Sequence, residues 1–460
     1  MVSNYIEGTE LLSAVCTQEF FYYKEDMMRL FGTSEIKDNE LVIGGITATQ
    51  LAKTYGTPLY VYDEAGIEEK MSVFKENFKS KKFQTRIIYA GKAFLSAYLI
   101  HLLKQNQLYL DVVSGGELFL ADYAQYDLKN VYFHGNAKTY DELAFAVEKN
   151  VGTIVLDNES EADILNEILK DKHKTQRVLL RINPTVQTNT HKYIQTSNDD
   201  SKFGLTFEEA IAFLQKLHHY THLDFKGFHC HIGSQIFEQE AYLTEAKRMV
   251  AFYSHIEQEF DLSLEELNLG GGFGVYYTPG DVPFKLNTFL QDYIHKLEVL
   301  IEEYHINVQT VAIEPGRSLV NDFGTMIYSI SHVKPSKQFD FLFIDGGMND
   351  NLRPALYQAK YEALLANKAA NKLEKTYRIA GKLCESGDVL IDKIELPHAD
   401  RGDLLAVPST GAYTYSMASN YNKISQGAVV FVKDGQSRIA VKRQTYEDLV
   451  KQEVVTQTND

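Results

Sequence analysis

The stretch Arg86-Ile87-Ile88-Tyr89-Ala90-Gly91-Lys92-Ala93-Phe94 joins a short apolar strand to a turn of small residues that carries one lysine. An α/β barrel places its chemistry at this end of its strands. Lys92 is therefore a candidate for an amine that condenses with an aldehyde. The alternative is that Lys92 is a solvated surface charge, which is what most lysines are.

Seven further apolar segments with strand-like composition follow residues 87–90, the first few at intervals of about 22 residues, the length that one strand and its crossover helix need. These segments are residues 108–112, 131–134, 153–156, 177–182, 225–231, 265–269 and 311–314. Residues 94–104 and 140–148 have a helical pattern, and the amphipathic residues 65–78 could fill the last gap in a helical ring. This rhythm predicts an α/β fold with a closed (β/α)8 TIM-like barrel.

Beyond about residue 318 the pattern changes to short apolar runs typical of antiparallel strands. The runs are residues 324–332, 339–345, 377–384, 403–407 and 428–433. We therefore predict a mostly β C-terminal domain after the barrel. The predicted parts are an N-terminal extension of unknown role at 1–38, a segment joining the β domain at 39–60, the barrel at 61–317 and the β domain at 318–460. Residues 183–201 are polar and aperiodic, which predicts a mobile loop over one end of the barrel.

Composition limits the partners of such a chain. Its 460 residues, 44% of them hydrophobic, suffice for a barrel and a second domain. A formal net charge of −16 without a long Lys/Arg run argues against nucleic acid or an anionic membrane as a partner. Three cysteines without a pairing motif favour a reducing compartment. With no signal-like N-terminus and no apolar stretch of about 18 residues, the chain is predicted to be cytoplasmic and free of membranes.

Two loops after late barrel strands have the residue types of an anion site. Residues 270–274 read Gly-Gly-Gly-Phe-Gly, and the missing side chains let backbone amides approach a phosphate. In the loop that begins at His229, His231 adds an imidazole face and Ser234 a hydroxyl. A glycine cluster is equally typical of a tight turn. His229 and His231 could ligate zinc, but no third ligand with suitable spacing follows, so we predict no metal site.

The eighth predicted strand closes with Glu314-Pro315-Gly316-Arg317. A carboxylate beside the ring nitrogen of pyridoxal phosphate keeps that nitrogen protonated, which makes the ring a strong electron acceptor. A glutamate at this position suits the loss of carbon dioxide, whereas an arginine suits racemisation. Glu314 therefore disfavours an activity like that of alanine racemase. The alternative is a plain surface turn at a strand end.

The second domain offers three more groups. Cys384-Glu385-Ser386-Gly387-Asp388 places a thiol, which can donate a proton to a carbanion, beside a carboxylate that could hold an ammonium. Arg353-Pro354-Ala355-Leu356-Tyr357 holds a guanidinium suited to a bidentate grip on a carboxylate. Gly411-Ala412-Tyr413 adds a phenol. Each of these motifs taken singly has a commoner structural explanation. The cysteine would be an inert core residue, the arginine part of a capping salt bridge and the tyrosine a half-buried core residue.

In this order the motifs resemble the diaminopimelate decarboxylases, which are pyridoxal-phosphate decarboxylases of alanine-racemase-like fold. The resemblance spans residues 40–440 and rests on residues 89–93, 231–234, 270–274, 314–317, 353–357, 384–388 and 411–413. It implies an α/β barrel with a C-terminal β domain, and an obligate homodimer whose active sites are shared between subunits. Gly91, Lys382 and Ser197 depart from the family pattern, and residues 1–38 have no counterpart in it.

The resemblance also implies a role for each matched side chain. Lys92 corresponds to the Schiff-base lysine and Cys384 to the proton donor. The implied contacts with the cofactor are those of Lys92, His231, Ser234, Gly272, Glu314, Gly316, Arg317 and Tyr413. The implied contacts with the amino-acid substrate are those of Arg317, Arg353, Tyr357, Glu385 and Tyr413.

These roles imply the pyridoxal-phosphate-dependent decarboxylation of meso-2,6-diaminopimelate to L-lysine and carbon dioxide, the last step of lysine biosynthesis. The distal end of that substrate carries an amine and a carboxylate, which Glu385 and the pair Arg317 and Arg353 match in charge. A decarboxylase of lysine, ornithine, their D forms or carboxynorspermidine is the first alternative. A catalytically inactive relative that regulates a working decarboxylase is the second, and the presence of both Lys92 and Cys384 disfavours it.

Overall fold

The computed structural model describes residues 28–186 and 201–455. Its strands, in chain order, are β1 (Glu35–Lys37), β2 (Glu40–Ile43), β3 (Ile46–Thr47), β4 (Leu59–Asp63), β5 (Gln84–Ala90), β6 (Tyr109–Val112), β7 (Val131–Phe133), β8 (Thr153–Leu156), β9 (Gln176–Ile182), β10 (Leu223–Cys230), β11 (Glu266–Asn268), β12 (Thr310–Ile313), β13 (Gly324–Lys334), β14 (Asp340–Ile344), β15 (Leu364–Leu365), β16 (Lys375–Ala380), β17 (Val389–Leu396), β18 (Leu404–Val407), β19 (Ala428–Lys433) and β20 (Gln436–Val441). Its α-helices are α1 (Ala48–Tyr55), α2 (Glu64–Asn77), α3 (Ala97–Gln105), α4 (Gly115–Tyr123), α5 (Tyr140–Glu148), α6 (Glu159–Lys172), α7 (Phe207–Leu214), α8 (Gln239–Phe260), α9 (Leu286–Glu303), α10 (Arg317–Val320), α11 (Arg353–Tyr357) and α12 (Tyr446–Val450). Most of the predicted loop 183–201, including Ser197, and residues 1–27 of the predicted extension lie outside the described residues.

Eight parallel strands, β5 to β12, close into a barrel in chain order, with β12 paired to β5. All eight predicted barrel strands are confirmed, and their ends differ from the prediction by no more than three residues. The strands are apolar along most of their length because a parallel barrel covers both faces of its sheet. Inside the barrel, one layer of side chains packs together from five of the strands, and it consists of Ile88, Tyr132, Val155, Leu179 and Ala312.

Helices surround the barrel, one between each pair of consecutive strands from α3 to α9. Helix α5 begins at a capping box, in which Thr139 accepts from the Glu142 amide and the Glu142 carboxylate accepts from the Thr139 amide. Helix α2 packs against α9 and completes the ring, which confirms the prediction for residues 65–78. Within residues 28–186 and 201–455, no helix is both long and apolar enough to cross a membrane.

Strand β10 contains a bulge at Gly227 that orients the residues after it. The register against β9 shifts between Phe225 and Gly227, and Gly227 has a φ of 144°. A Cβ at this position would lie 1.9 Å from the carbonyl oxygen of Glu266, so a side chain has no room. One extra residue reverses the alternation of the side chains that follow. The bulge therefore fixes which of the late residues of β10, among them His229, point into the barrel.

A nine-stranded sheet forms the second domain, with the order β17-β16-β14-β13-β4-β19-β20 and with β18 and β15 paired beside β13. Each of the five predicted runs contributes a strand, which confirms the mostly β C-terminal domain. Most neighbours are antiparallel as predicted. The prediction is wrong for two pairs, because β14 pairs with β16 and β4 with β19 in parallel.

The N-terminal part of the described chain also belongs to this β region. Strand β4 is buried along its whole length between β13 and β19. Since β4 crosses the predicted boundary between 39–60 and 61–317, we propose that the barrel domain begins after Asp63. The small sheet of β1, β2 and β3 packs on the β domain through Leu41 and Ile43, which share a second hydrophobic core with Val430. The Leu41 amide donates to the Ala366 carbonyl at 2.8 Å.

Candidate active site

Lys92 lies at the mouth of the barrel, where β5 ends in a 3-10 turn at Gly91–Ala93. The Tyr89 hydroxyl donates to the Phe94 carbonyl at 2.6 Å and ties the turn back to the strand. A Cβ on Gly91 would lie 2.7 Å from the carbonyl oxygen of Asp111, so this backbone has no room for a larger residue at that position. Lys92 is exposed between two buried neighbours. The turn therefore presents its amine to the space above the barrel.

Glu314 follows β12 and is buried inside the same rim of the barrel. Its Oε1 accepts from Asn268 Nδ2 at 2.7 Å and lies 3.0 Å from His134 Nε2. Its Oε2 lies 3.1 Å from His229 Nε2. These groups come from the ends of β7, β10, β11 and β12, so the closure of the barrel brings them together. The structure thus places three donors around one buried carboxylate.

Electrostatics make this carboxylate an anion. Burial alone would raise the pKa of Glu314, but His134 and His229 outweigh it and hold the pKa well below its usual range. For His134, burial lowers the pKa, but the carboxylates of Asp111 and Glu314 outweigh it and leave the pKa raised. Burial lowers the pKa of His229 to about 4. The carboxylates therefore favour the charged form of His134, whereas burial favours the neutral form of His229.

His231 follows β10 and presents a neutral ring. Its Nδ1 accepts from the Gly271 amide at 3.2 Å, which requires that this nitrogen carry no proton. Burial and then the Lys92 and Arg181 cations lower the pKa of His231 well below its usual range. The influence of Lys92 on His231 also places the ammonium near this ring. The prediction of an imidazole face beside Lys92 agrees with this arrangement.

The glycines after β11 allow three strand-end loops to meet. A Cβ on Gly271 would lie 2.0 Å from the Glu314 carbonyl oxygen, and a Cβ on Gly272 would lie 2.1 Å from the Gly233 carbonyl oxygen. Gly272 also has a φ of 100°, which L-residues rarely adopt. These glycines are therefore needed for the close contact of the loops after β10, β11 and β12.

Arg317 begins helix α10 beside this loop cluster. Its Nη2 and Nε donate to the Ser234 hydroxyl at 3.1 and 3.3 Å, and its Nη1 donates to the Tyr277 hydroxyl at 2.5 Å. The guanidinium also lies 4.6 Å from the ring centre of Tyr413, whose amide donates to the Ala93 carbonyl at 2.8 Å. The structure therefore brings Arg317, Ser234 and Tyr413 together next to the Lys92 turn.

Arg353 lies on the other side of Tyr277, with its guanidinium 4.5 Å from that ring centre. It is buried, and its Nη1 donates to the Tyr361 hydroxyl. The Nε atom has no hydrogen-bond partner among the described residues. Tyr357, predicted beside it, ends the same short helix and is half-buried. The predicted pair Arg317 and Arg353 thus shares one tyrosine ring.

Cys384 and Glu385 lie apart from these groups, on an exposed loop between β16 and β17. The Cys384 amide donates to Asn422 Oδ1 at 2.8 Å. The buried Asp388 holds the loop by accepting from the Leu383 amide at 2.9 Å and from the Met348 amide at 2.7 Å. Over residues 28–186 and 201–455, no hydrogen bond or ion pair joins the Cys384 or Glu385 side chain to the barrel mouth of the same chain. The loop is held by Asp388, and both side chains are exposed.

Sequence reasoning missed several polar residues of the rim. They are Asp111, His134, Arg181, Asn268 and Tyr277. Four of these lie at or directly after the carboxyl ends of barrel strands, which is where an α/β barrel carries its functional residues. A search of every predicted strand end for a polar residue would have found those four. Tyr277 lies in a loop and has no such signal.

The zinc hypothesis paired the wrong residues. The structure brings His229 together with His134 and Glu314, whose ligand atoms all lie within 4.8 Å of one another. His231 is not part of this group and bonds to the Gly271 amide instead. His229 Nε2 makes a hydrogen bond of 3.1 Å with Glu314, whereas His134 Nε2 lies 3.0 Å from the other carboxylate oxygen as an ion-pair contact without hydrogen-bond geometry.

A second buried carboxyl lies behind the site. Glu245 on α8 accepts from Cys230 Sγ at 3.1 Å, and its other oxygen has no partner among the described residues. Burial raises the pKa of Glu245 to about 8. The unfolded chain releases this proton near the usual pKa of about 4.3. The free energy of unfolding should therefore fall as the pH rises above that value.

We therefore expect wild-type unfolding free energy to fall more steeply with pH than that of Glu245→Gln. The difference between the two should grow by about 1.4 kcal/mol per pH unit from about pH 5 to about pH 8 and then level off. Urea unfolding of both proteins across this range measures it. Glu259→Gln, on the exposed face of the same helix, serves as the control. Parallel pH curves for wild type and Glu245→Gln would show that Glu245 is ionised in the folded protein.

Comparisons with known proteins agree with this geometry. Residues 64–321 match the family model "Pyridoxal-dependent decarboxylase, pyridoxal binding domain". The diaminopimelate decarboxylase of Bacillus subtilis (strain 168) is 44% identical over 429 residues, which are 92% of this chain and 98% of that protein. That of Staphylococcus aureus (strain COL) is 41% identical over 418 residues, 90% and 97% of the two chains. The crystal structure of M. jannaschii diaminopimelate decarboxylase in co-complex with L-lysine has a TM-score of 0.86 and 34% identity, and the match covers 92% of this chain and 98% of that one.

Proposed function

The chain belongs to the diaminopimelate decarboxylase family, and from this premise we propose that its barrel mouth is the site of the family's reaction. It is a pyridoxal-phosphate-dependent carboxy-lyase that converts meso-2,6-diaminopimelate to L-lysine and carbon dioxide, the last step of lysine biosynthesis. One observation supports this placement most strongly. Lys92, His231, Glu314 and Arg317 follow three different barrel strands, β5, β10 and β12, and converge on one rim.

The residues of the rim fit pyridoxal phosphate. An ionised carboxylate can accept about four hydrogen bonds, and Glu314 has three close donors, so one acceptor position remains for a protonated ring nitrogen. The neutral, half-buried ring of His231 suits stacking against the pyridine face. The loop contact at Gly272, the Ser234 hydroxyl and the Arg317 guanidinium suit the phosphate, because glycine-rich loops and an arginine favour an anion.

Each of these residues then has one task. Bound pyridoxal phosphate supplies an aldehyde that links to an amine and a ring that takes up electrons as carbon dioxide leaves. Lys92 is the amine that would hold the cofactor through this aldehyde and would be available to the substrate amine at the same position. Glu314, kept ionised by its histidines, holds the proton on the ring nitrogen. Tyr413 packs beside Arg317 and helps to fix the phosphate end.

Arg353 has the properties of a group that binds the distal carboxylate of the substrate. Its guanidinium is buried, and the Nε proton has no acceptor among the described residues. An unpaired N–H of a buried cation is costly, so a bound carboxylate would satisfy it. Arg353 lies 4.5 Å and Arg317 5.8 Å from the ring centre of Tyr277. We assign Arg317 chiefly to the phosphate and Arg353 to the substrate, with Tyr357 beside it.

A second subunit completes the site in this proposal. Cys384 and Glu385 are exposed, and neither side chain is bonded to the barrel mouth of its own chain among the described residues. A homodimer in which each loop reaches the other barrel would place the thiol as proton donor and the carboxylate near the distal ammonium. An exposed thiol that must stay reduced suits a reducing compartment, so we place the enzyme in the cytoplasm.

The role of Arg353 is tested by substrate discrimination. We expect Arg353→Ala to raise the KM for meso-diaminopimelate by roughly thirty- to a hundredfold, since a charged hydrogen bond to the distal carboxylate is lost. The weaker turnover of lysine or ornithine, which lack that carboxylate, should change little. Release of carbon dioxide across a panel of diaminopimelate, lysine, ornithine and their D forms measures both.

Arg378→Ala is the matched control, because Arg378 is a partly exposed arginine of β16 in the same domain. It should leave the whole panel unchanged. The assignment of Arg353 would be refuted if Arg353→Ala changed the KM for diaminopimelate and the KM for the monoacids by the same factor. A wild-type enzyme that prefers a monoacid would instead favour the alternative decarboxylases.

A further inference from the structure

His134 is a buried rim residue to which the roles above assign no task. It directly follows β7, and its backbone amide donates to the Val112 carbonyl at 2.8 Å. Its side chain is 5% exposed. Nε2 lies 3.0 Å from Glu314 Oε1 and 3.9 Å from Asp111 Oδ1. The imidazole therefore sits between two buried carboxylates.

We propose that His134 is a positioning residue of the decarboxylation, whose imidazolium pairs with Glu314 and keeps that carboxylate ionised and aimed at the ring nitrogen of the cofactor. The inference rests on the proposed function, in which Glu314 faces that nitrogen. His134 then acts only through Glu314. The charge of His134 therefore affects how strongly the pyridine ring of the cofactor withdraws electrons.

Charge balance supports a cation at this position. Asp111, Glu314 and, further away, Asp157 are carboxylates that face His134, whereas Arg181 is the cation that faces it from β9. Lys92 also faces Asp111, and Lys138 faces Asp157. Without a charge on His134, Glu314 would lose the cation that lies 3.0 Å from it, and its repulsion with Asp111 would be less well balanced. The pKa of His134 is raised accordingly, because these carboxylates outweigh burial.

His229 cannot take this task. Its ring packs edge-on against His134 with the centroids 4.6 Å apart, so two neighbouring cations would repel each other. Burial lowers the pKa of His229 to about 4. It therefore serves as a neutral donor to Glu314. The two histidines differ because Asp111 lies on the His134 side.

The sharpest test measures binding rather than turnover. Wild type should bind pyridoxal phosphate more tightly than 1-deazapyridoxal phosphate, which has no ring nitrogen for Glu314 to contact. His134→Gln, which keeps a donor but loses the charge, should lower this preference roughly tenfold, as expected for a weakened charged hydrogen bond. Fluorescence titration of the cofactor-free full chain gives both dissociation constants. A purely structural role would weaken the binding of both compounds equally and would overturn the proposal.

Kinetics supply a second readout. In His134→Gln the kcat for diaminopimelate should fall roughly ten- to a hundredfold, while the KM should stay within about twofold. The wild-type kcat should decline on the alkaline side as His134 loses its proton, and this limb should be missing in His134→Gln. An unchanged kcat and an unchanged alkaline limb would overturn the proposal.

Two further variants distinguish a failure of the inference about His134 from a failure of the proposed function. Glu314→Gln should abolish the preference for pyridoxal phosphate. If it does so and His134→Gln does not, only the inference about His134 fails. If neither variant changes the preference, the placement of Glu314 in the proposed function fails. If His134→Gln does not fold, Asp111→Asn replaces it as the test, because it removes one carboxylate that faces the cation. Asp111→Asn should shift the alkaline limb of kcat to lower pH. An alkaline limb at an unchanged pH would refute the proposal.

Discussion

Lys92→Ala is expected to lose decarboxylation by about ten-thousandfold or more, the largest effect of any single substitution considered. A group that forms a covalent link in the reaction cannot be replaced by its neighbours, and losses of this size are typical when one is removed. Lys138, another lysine near the rim, is held in a buried pair with Glu161 and cannot replace it. Carbon dioxide release in a single turnover and the visible absorption of bound cofactor measure the loss.

Lys92→Arg is the informative control for this experiment. It keeps a cation near Asp111, Glu117 and His231, whose pKa values all respond to the Lys92 charge. It cannot provide the amine. We expect Lys92→Arg to be as inactive as Lys92→Ala while it melts closer to wild type. Substantial activity in Lys92→Arg would mean that the charge at position 92 matters rather than the nucleophile, and the proposed site would be wrong.

The barrel was predictable because its signal is local. A strand buried on both faces is a short apolar run, and the helix after it has its own periodicity and capping residues. Even the position of helix α2 in the ring followed from its amphipathic pattern. The β domain was harder to predict because its pairing joins distant segments. Strand β4 lies between β13 and β19, more than 260 residues later in the chain, and its own five buried residues do not reveal these partners.

The edge strands of the β domain show the same limit. Gln436–Val441 forms β20 at one edge, and its side chains are mostly exposed or half-buried. Val389–Leu396 forms β17 at the other edge. Such strands lack a continuous apolar run because solvent covers one face, so the hydrophobic pattern does not predict them. Sequence reasoning therefore found five of the nine strands and left out both edges as well as β4 and β15.

At the site, the sequence indicated candidate residues where a motif stands in one loop. Residues such as Lys92, Glu314 and Arg317 follow strands within short, distinctive stretches. His134 and Asp111 stand in ordinary contexts, and only the closed barrel shows that both approach Glu314. Their importance depends on distances across the barrel, which no local pattern encodes.

Mixing two inactive variants is expected to restore activity if the active sites are shared between subunits. Cys384→Ala alone should lose at least about a hundredfold in kcat, since a proton donor is removed. In an equal mixture with Lys92→Ala, half of the dimers are hybrids. Each hybrid has one site with both Lys92 and Cys384 intact and one site with neither. The mixture should therefore recover about a quarter of wild-type activity.

The control for this experiment pairs Lys92→Ala with the double variant Lys92→Ala/Cys384→Ala, a mixture in which no intact site can form. Co-expression with two different affinity tags isolates the hybrids, whose activity should be about half that of wild type because one of their two sites is intact. The exposed loop that holds Cys384 is fixed by Asp388, which accepts from the Leu383 and Met348 amides. If Cys384→Ala alone is inactive and the isolated hybrids are inactive as well, Cys384 acts in the barrel of its own chain, and the shared active site would be refuted.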